Sequence, residues 1–366
     1  MKIGIDGSRA FIKRRTGIEE YSYQVIKHLR PWLKEDEVSL YVRHNQEVDF
    51  DLPDNWKVKK LWLPYFSSQL RFSLELLLHS CDAFFVPAHT VPPIHPKNTT
   101  VVVHGLEYEF HPKAYSRWAR FYMRTVIKNS CKWASRVVCV SENTKRDVMR
   151  LYGTSQEKIR VIYEGYSGKT AGHSEAGILG HVEKEKCDIG APYFLFIGRI
   201  EERKNVKGIV EAFDIVKEKY GVAHKLVLAG KPGYGYGEIK ERIGISKFKN
   251  DIVEMGYVSD EEKWEILRCA DVFVFPTFYE GFGLPILEAQ NAFVPVVTSK
   301  VSSVPEVAGD AALYADPKDH RSIAENMYVL ISNRNAKEDI VRRGFENVKR
   351  FSWADCAKEI AGVLRG

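Results

Sequence analysis

Several classes of protein are excluded by what this 366-residue chain lacks. Its six cysteines, Cys81, Cys131, Cys139, Cys187, Cys269 and Cys356, are scattered and form no Cys-x-x-Cys pair. That distribution excludes a disulfide scaffold and a zinc ribbon, and the expectation is buried, reduced thiols. No uncharged apolar stretch reaches the ~18 residues that a spanning helix needs. Asp6 and Arg9 interrupt the first apolar run, so no signal peptide is expected. No repeat of solenoid length is visible, and residues 113–136 contain no acidic side chain at all. These absences leave a cytoplasmic protein, either soluble or peripheral on the inner face of a membrane.

What is present points to an α/β fold. A soft prior of one domain per ~150 residues allows two or three domains. Short β-rich runs alternate with helical patterns in both halves, the signature of parallel sheets flanked by helices. Such runs occur at 2–5, 38–42, 58–63, 83–86, 100–104, 136–140 and 159–162, and resume at 193–197, 225–229, 252–255, 272–275, 294–298 and 312–314. Residues 165–190 lack periodicity and read as the connection between the halves. The net charge of +6 is uneven: residues 1–180 carry +8 and the remainder −2. A basic first half suits an anionic partner.

Two segments carry chemistry. Asp271-Val-Phe-Val-Phe275 is a buried-strand run, followed by Pro276-Thr-Phe-Tyr-Glu280-Gly-Phe282-Gly283-Leu284-Pro285-Ile-Leu-Glu288. Pro285 suits a first helical turn. The resulting order of strand, glycine loop and helix aims backbone N–H groups and a positive helix end at one point. Glu280 falls on the loop rim and Glu288 about one turn into the helix. The second segment, Tyr193-Phe-Leu-Phe-Ile-Gly198, is another strand run. It leads into Arg199-Ile-Glu-Glu-Arg-Lys204-Asn205 and then a helix over 206–220. Two cations at the carboxyl edge of a parallel sheet suit a diphosphate. A phosphate cradle with a carboxylate at its mouth and another beside it suits a nucleotide-sugar better than a bare phosphate.

Taken in order, these motifs resemble the retaining glycosyltransferases of family 4, and the resemblance covers nearly the whole chain. It runs from Lys2-Ile-Gly-Ile-Asp-Gly7 through Val101-Val-Val-His104, Val140-Ser-Glu-Asn-Thr144 and Val161-Ile-Tyr-Glu-Gly165. It continues in the Gly198–Asn205 loop, Val227-Leu-Ala-Gly230, Gly256-Tyr-Val-Ser-Asp260 and the Glu280–Glu288 pair. The resemblance implies the GT-B architecture, two Rossmann-like domains with parallel sheets facing a cleft. Residues 1–168 would form the acceptor-binding domain and 190–350 the nucleotide-sugar-binding domain, with the helix 351–366 returning to the first. It implies front-face transfer without an obligatory metal or cofactor, and the sequence presents no convincing Asp-x-Asp metal site. By the same resemblance, Arg199 and Lys204 neutralise the leaving diphosphate and Gly198 opens their loop. The backbone N–H groups of Phe282, Gly283 and Leu284 assist, Glu288 takes the ribose hydroxyls, and Glu280 holds the sugar or an oxocarbenium-like state. His104 contacts the donor sugar, although Gly105 stands where the family has aspartate. Gly17 approaches the donor phosphates, although Glu19 and Glu20 in the same turn compete with a phosphate.

The reading is a hexosyltransferase moving a mannose- or glucose-type residue from a GDP- or UDP-linked donor to a glycan or lipid-linked acceptor in polysaccharide synthesis. A sugar-nucleotide epimerase of similar architecture and a non-catalytic nucleotide-binding subunit are the alternatives. No nucleic-acid partner is expected. Arg203, in the cation loop but off the motif, is expected to tolerate replacement. The glycine-dense stretch 230–237 is expected to be a mobile loop. Finally, Lys113, Arg117, Arg120, Arg124, Lys128, Lys132 and Arg136 recur every three or four positions with aromatic neighbours. That spacing predicts a basic helical face able to meet an anionic membrane surface.

Overall fold

A computed structural model describes residues 1–13, 15–62, 68–166, 168 and 189–366. The expected connection at 165–190 falls largely outside them. The chain divides into two compact units: Met1–Ser167 joined by Phe351–Gly366, and Gly168–Arg350.

The first unit runs β1 (Lys2–Asp6), α1 (Gly17–Leu29), β2 (Glu37–Arg43), β3 (Trp56–Leu61), α2 (Ser68–Leu78), β4 (Ala83–Val86) and β5 (Asn98–Val103). It continues through α3 (Glu107–Phe110), α4 (Arg117–Trp133), β6 (Arg136–Cys139), α5 (Glu142–Tyr152) and β7 (Ile159–Val161). Its strands form a parallel seven-stranded sheet in the order β3-β2-β1-β4-β5-β6-β7. β4 is buried along its length, as are Thr99–Val103 of β5, which is why these strands read as continuous apolar or β-branched runs. One core gathers Phe72 and Leu76 of α2, Ile127 and Cys131 of α4 and Val148 of α5 against Phe84, Val101 and Val137. Those three helices therefore share one face of the sheet.

The second unit runs β8 (Tyr193–Ile197), α6 (Val206–Tyr220), β9 (Lys225–Ala229), α7 (Tyr236–Ile245), β10 (Ile252–Gly256), α8 (Asp260–Arg268) and β11 (Val272–Phe275). It continues through α9 (Leu284–Asn291), β12 (Val296–Ser299), α10 (Val304–Ala308), β13 (Leu313–Ala315), α11 (His320–Ser332) and α12 (Arg334–Val348). The parallel order is β10-β9-β8-β11-β12-β13. β8 thus pairs with β9 on one side and β11 on the other. Strand order reverses there, and the loops after β8 and β11 open side by side at the carboxyl edge, where open α/β sheets take their ligands.

The last helix, α13 (Trp353–Arg365), belongs to the first unit and packs on α1. Trp353 edges onto the Tyr21 ring, Asn98 donates to the Leu364 carbonyl, and Arg365 pairs with Asp36. A side chain at Gly165 would strike the Trp353 backbone at 2.3 Å, so α13 sits directly on that glycine.

Two expectations change. The basic stretch is not one helix from 113. Pro112–Ala114 forms a separate turn, Tyr115 is extended, and Ser116 caps α4 by accepting from the Ala119 N–H. Arg136 lies in β6. Although no acid interrupts the stretch in sequence, Glu109 of α3 reaches both Arg120 and Arg124, and these hold its carboxyl below the usual range. As for the cysteines, Cys81, Cys131, Cys139 and Cys356 are free, but Cys269 is disulfide-bonded, so reduced thiols throughout is corrected there. Among the described residues no helix is long and apolar enough to cross a membrane.

Candidate active site

The loop after β8 is built to hold its cations at the sheet edge. Gly198 N–H donates to the Ala229 carbonyl, Ile200 N–H to Lys231 and Glu202 N–H to Tyr234, while Gly233 N–H donates back to the Ile200 carbonyl. Gly230 approaches so closely that a Cβ would lie 1.7 Å from the Gly198 oxygen, at φ 149°, which only glycine accepts without strain. The 230–235 stretch is therefore fastened along the cation loop, and the expectation of a mobile loop is replaced by a pair of zipped loops. Asn205 ends the loop in the left-handed region at φ 57°, its amide donating to the Pro276 and Pro317 carbonyls.

Lys204 and Glu280 come together across the β8 and β11 loops. The Lys204 ammonium donates to Glu280 Oε1 at 2.5 Å, and both side chains are about nine-tenths buried. Thr277 Oγ1 donates to the same oxygen at 3.0 Å and Arg203 at 3.1 Å. Burial alone would raise the Glu280 carboxyl, but the Lys204 and Arg203 charges outweigh it and hold the group below its ordinary value, so Glu280 stays ionised. Burial draws the Lys204 ammonium down from the ordinary lysine value, with the Glu280 charge resisting. An ammonium has three donors, of which Glu280 takes one. The Phe275 ring lies 4.8 Å beneath the same nitrogen.

Arg203 is no bystander. It donates to the Tyr279 carbonyl at 2.5 Å as well as to Glu280, and Glu201 braces it at 2.8 Å. The expectation that it tolerates replacement is therefore revised. Arg199 is the exposed cation of the loop, 69% accessible and 3.6 Å from Glu201.

The loop from Thr277 to Gly283 is fixed by hydroxyls from β12 and the segment after it. Ser299 donates to the Thr277 carbonyl, Ser302 accepts from the Glu280 N–H, and Ser303 donates to both the Glu280 and Phe282 carbonyls. Sequence reasoning missed all three, because serine pairs carry no signal of partners some 20 residues away. Gly283, at φ 123°, precedes α9, which starts at Leu284 with Pro285 in its first turn and no side-chain cap. An uncapped helix start leaves backbone N–H groups to a ligand and favours negative charge. Glu288 lies one turn inside and pairs with Lys263 of α8 at 2.8 Å. Burial opposes the Lys263 charge, but Glu288 outweighs it and raises its pKa. Lys263 was also missed, since its position on α8 reads as an ordinary solvated charge.

His104 and Gly17 belong to the first unit. His104 follows β5, is buried, and has both ring nitrogens engaged, Nδ1 with Glu164 at 3.1 Å and Nε2 with the Pro87 carbonyl at 2.8 Å. A sugar contact through this ring would require one of these partners to be released. Gly17 opens α1, but a Cβ there would meet nothing within 4 Å. The start of α1 is already closed by its own capping box, in which the Glu19 carboxylate takes the Thr16 N–H at 3.2 Å. Arg9 and Arg15 pair with Glu19 and Glu20 at the same end.

Two family models match the chain: "Glycosyltransferase Family 4" over residues 15–167 and "Glycosyl transferases group 1" over residues 181–347. The chain is similar to O-antigen chain mannosyltransferase B of Escherichia coli, at 33% identity over 257 residues, covering 70% of this chain and 66% of that protein. It is 26% identical over 274 residues to O-antigen chain mannosyltransferase RfbU of Salmonella typhimurium, covering 75% of this chain and 70% of that one. Among solved structures, Anabaena HepE in complex with UDP-glucose superposes with a TM-score of 0.73. The match covers 100% of this chain and 99% of that one, at 16% identity, a likeness of fold.

Proposed function

The chain belongs to the group 1 glycosyl transferases, and from that premise we propose a retaining transfer of a mannose- or glucose-type hexose from a GDP- or UDP-linked donor to a glycan or lipid-linked glycan in polysaccharide synthesis. One observation carries the reading to this chain's own residues. At the β8/β11 reversal, the buried Lys204–Glu280 pair stands beside the exposed Arg199 and the uncapped start of α9. The second unit takes the donor and the first unit the acceptor, in the cytoplasm.

In this reading the diphosphate meets Arg199, the two remaining donors of Lys204 and the N–H groups at Gly283 and Leu284. As the bond between the anomeric carbon and the diphosphate oxygen breaks, charge grows on that oxygen. Donors already aimed at it stabilise the transition state more than the ground state. Glu280 stays ionised and orients Lys204, and it faces the positive charge that develops at the sugar. Glu288, held by Lys263, takes the ribose hydroxyls. The two mannosyltransferase relatives favour mannose. His104 enters the mechanism only if Glu164 or Pro87 releases its ring. Gly17 serves the phosphates only if the Thr16–Glu19 box opens. An anionic membrane surface as partner of the basic stretch belongs to the same reading, on a contact set altered from the one expected.

The test is a thermal-shift panel of UDP, GDP and ADP followed by turnover of the matching donors with and without acceptor. A ligand at ~100 times its dissociation constant adds about 2.7 kcal/mol. One diphosphate should stabilise the second unit, and sugar should leave the donor only when acceptor is present. Epimerised donor formed without acceptor, or no response to any nucleotide, sinks the reading.

A further inference from the structure

The sheet of the first unit reverses its strand order at β1, which pairs with β2 on one side and β4 on the other. The loops after β1 and β4 therefore open side by side at the carboxyl edge, the crevice in which open α/β sheets take ligands. The loop after β4 runs Pro87-Ala88-His89-Thr90. His89 N–H donates to the Val102 carbonyl of β5 at 3.0 Å, and Thr90 N–H donates to the Ala88 carbonyl two residues back. That second bond closes a γ-turn with His89 at its centre, at φ 33°. A positive φ is uncommon for any residue but glycine, and such strain persists only where the surroundings hold it. Glycine or asparagine would sit there more easily, so the backbone alone gives no reason for an imidazole.

The ring is as poorly matched to its protein surroundings as the backbone is. Nδ1 is enclosed and has no hydrogen-bond partner. Nε2 has none among the described residues either, and the residue is only partly buried. The neighbouring His104 ring, 5.3 Å away and edge-on, spends both of its nitrogens on Glu164 and the Pro87 carbonyl. Burial pushes the His89 pKa well below the ordinary histidine value, and His104 and Arg9 push it the same way, so the ring is neutral near pH 7. A neutral imidazole offers one donor and one acceptor, and a protein partner normally sets which nitrogen is which. Here no partner sets the tautomer, and Nε2 is able to serve in either role.

We propose that His89 contacts the acceptor and selects for it, its Nε2 pairing with a hydroxyl of an uncharged sugar. The inference rests on the reading that the first unit takes the acceptor, and adds the residue and the chemistry. A hydroxyl both donates and accepts, so it matches either tautomer. An ionised phosphate or carboxylate only accepts, and it draws on cations that a neutral ring does not supply. A polar atom left unpaired is costly once covered, so a ligand that pairs with Nε2 is favoured over one that merely covers it. No proton leaves or joins the ring in this role. His89 holds the sugar in place, and the strained turn holds the ring at the crevice.

The test follows the imidazole nitrogens of the full chain, carrying isotope-labelled histidine, by long-range proton–nitrogen correlation spectra. The spectrum of His89→Asn, in which the new residue tolerates the left-handed backbone, assigns the His89 signals by their loss. The probes are methyl mannoside, methyl glucoside and inorganic phosphate. At least one glycoside should shift the His89 signals, and phosphate should leave them in place. His89→Asn and His89→Gly should each bind that glycoside about two- to tenfold more weakly in a saturation-transfer titration, the loss of one neutral hydrogen bond. Neither should melt below the wild type, because asparagine and glycine take this φ more easily. Thermal shifts with UDP and GDP should match the wild type in both variants, so this inference and the transfer reading fail separately. Unmoved His89 signals with both glycosides, a response to phosphate in their place, or wild-type glycoside binding by the variants overturns the proposal. So does a lowered melting temperature as the variants' one defect.

Discussion

Replacing Lys204 with Met keeps the side chain's length and removes its charge, leaving Glu280 ionised and buried with Arg203 and Thr277 as its remaining donors. Removing one partner of a buried ion pair costs about 3–5 kcal/mol. Because Arg203 still donates to the same oxygen at 3.1 Å, the lower end, about 3 kcal/mol, is expected. For a unit of this size, 1 kcal/mol moves the melting temperature by about 2–4 °C. The second unit should therefore melt roughly 6–12 °C lower, and the amides of β8 and β11 should exchange faster by two orders of magnitude, 1.4 kcal/mol being about tenfold. Adding Glu280→Gln removes the stranded charge, so the double variant should regain most of the loss. Hydrogen exchange followed by mass spectrometry reads β8 and β11 separately from the first unit. The sign of the acid dependence is fixed as well. Glu280's carboxyl is held below 4.5, so its contribution is complete above that value and disappears as pH falls through the lower, folded value. In Lys204→Met the leading favourable charge is gone and the loss should begin at higher pH. Wild-type exchange in Lys204→Met, or a double variant destabilised by the sum of the two singles, would refute the pairing.

Arg199→Ala should leave the melting temperature unchanged, since the side chain is 69% accessible, yet weaken donor-diphosphate binding about ten- to a hundredfold, measured by calorimetric titration. Arg203→Ala should lower kcat by about one to two orders of magnitude with little change in nucleotide affinity, because it positions Glu280 and the Tyr279 carbonyl. Mild kinetics there would mean that the Glu280 loop holds without it. Gly230→Ala should force the zipped loops apart, and proteolysis should then cut within 199–205 or 230–235; an intact fragment pattern would contradict the close approach at Gly198.

The strands were legible because parallel strands are buried on both faces, so Tyr193–Ile197 and Val272–Phe275 appear as unbroken apolar runs. The helix starts at Ser259 and Pro285 carry local signals, a capping box and a first-turn proline. α3 and α10 were not legible: four and five residues give no period to read. The basic stretch misled for a related reason. Its spacing stays helical across Pro112 and Ser116, and periodicity is blind to Glu109 folding back onto it. At the candidate site, glycines and charged residues mark the loops, because close approach and anion chemistry restrict residue type. The braces do not show. Ser302, Ser303 and Lys263 gain their meaning from partners more than 20 residues distant, which no local pattern encodes.

Because α13 seats on Gly165 and α1, the first unit is written in two pieces, one on each side of the second unit's sequence. A ribosome extends a chain at roughly 5–20 residues per second, so the first piece waits about 10–40 s while the second unit is made. During that wait Tyr21 has no Trp353 beside it and Asp36 lacks Arg365. The second unit, contiguous in sequence, is free to close first. The domain made first is thus the last to be finished, and its nascent form leaves the α13 seat open to chaperones. A stop codon at residues 351–353 would spare the second unit and leave the first without α13, permanently in that waiting state.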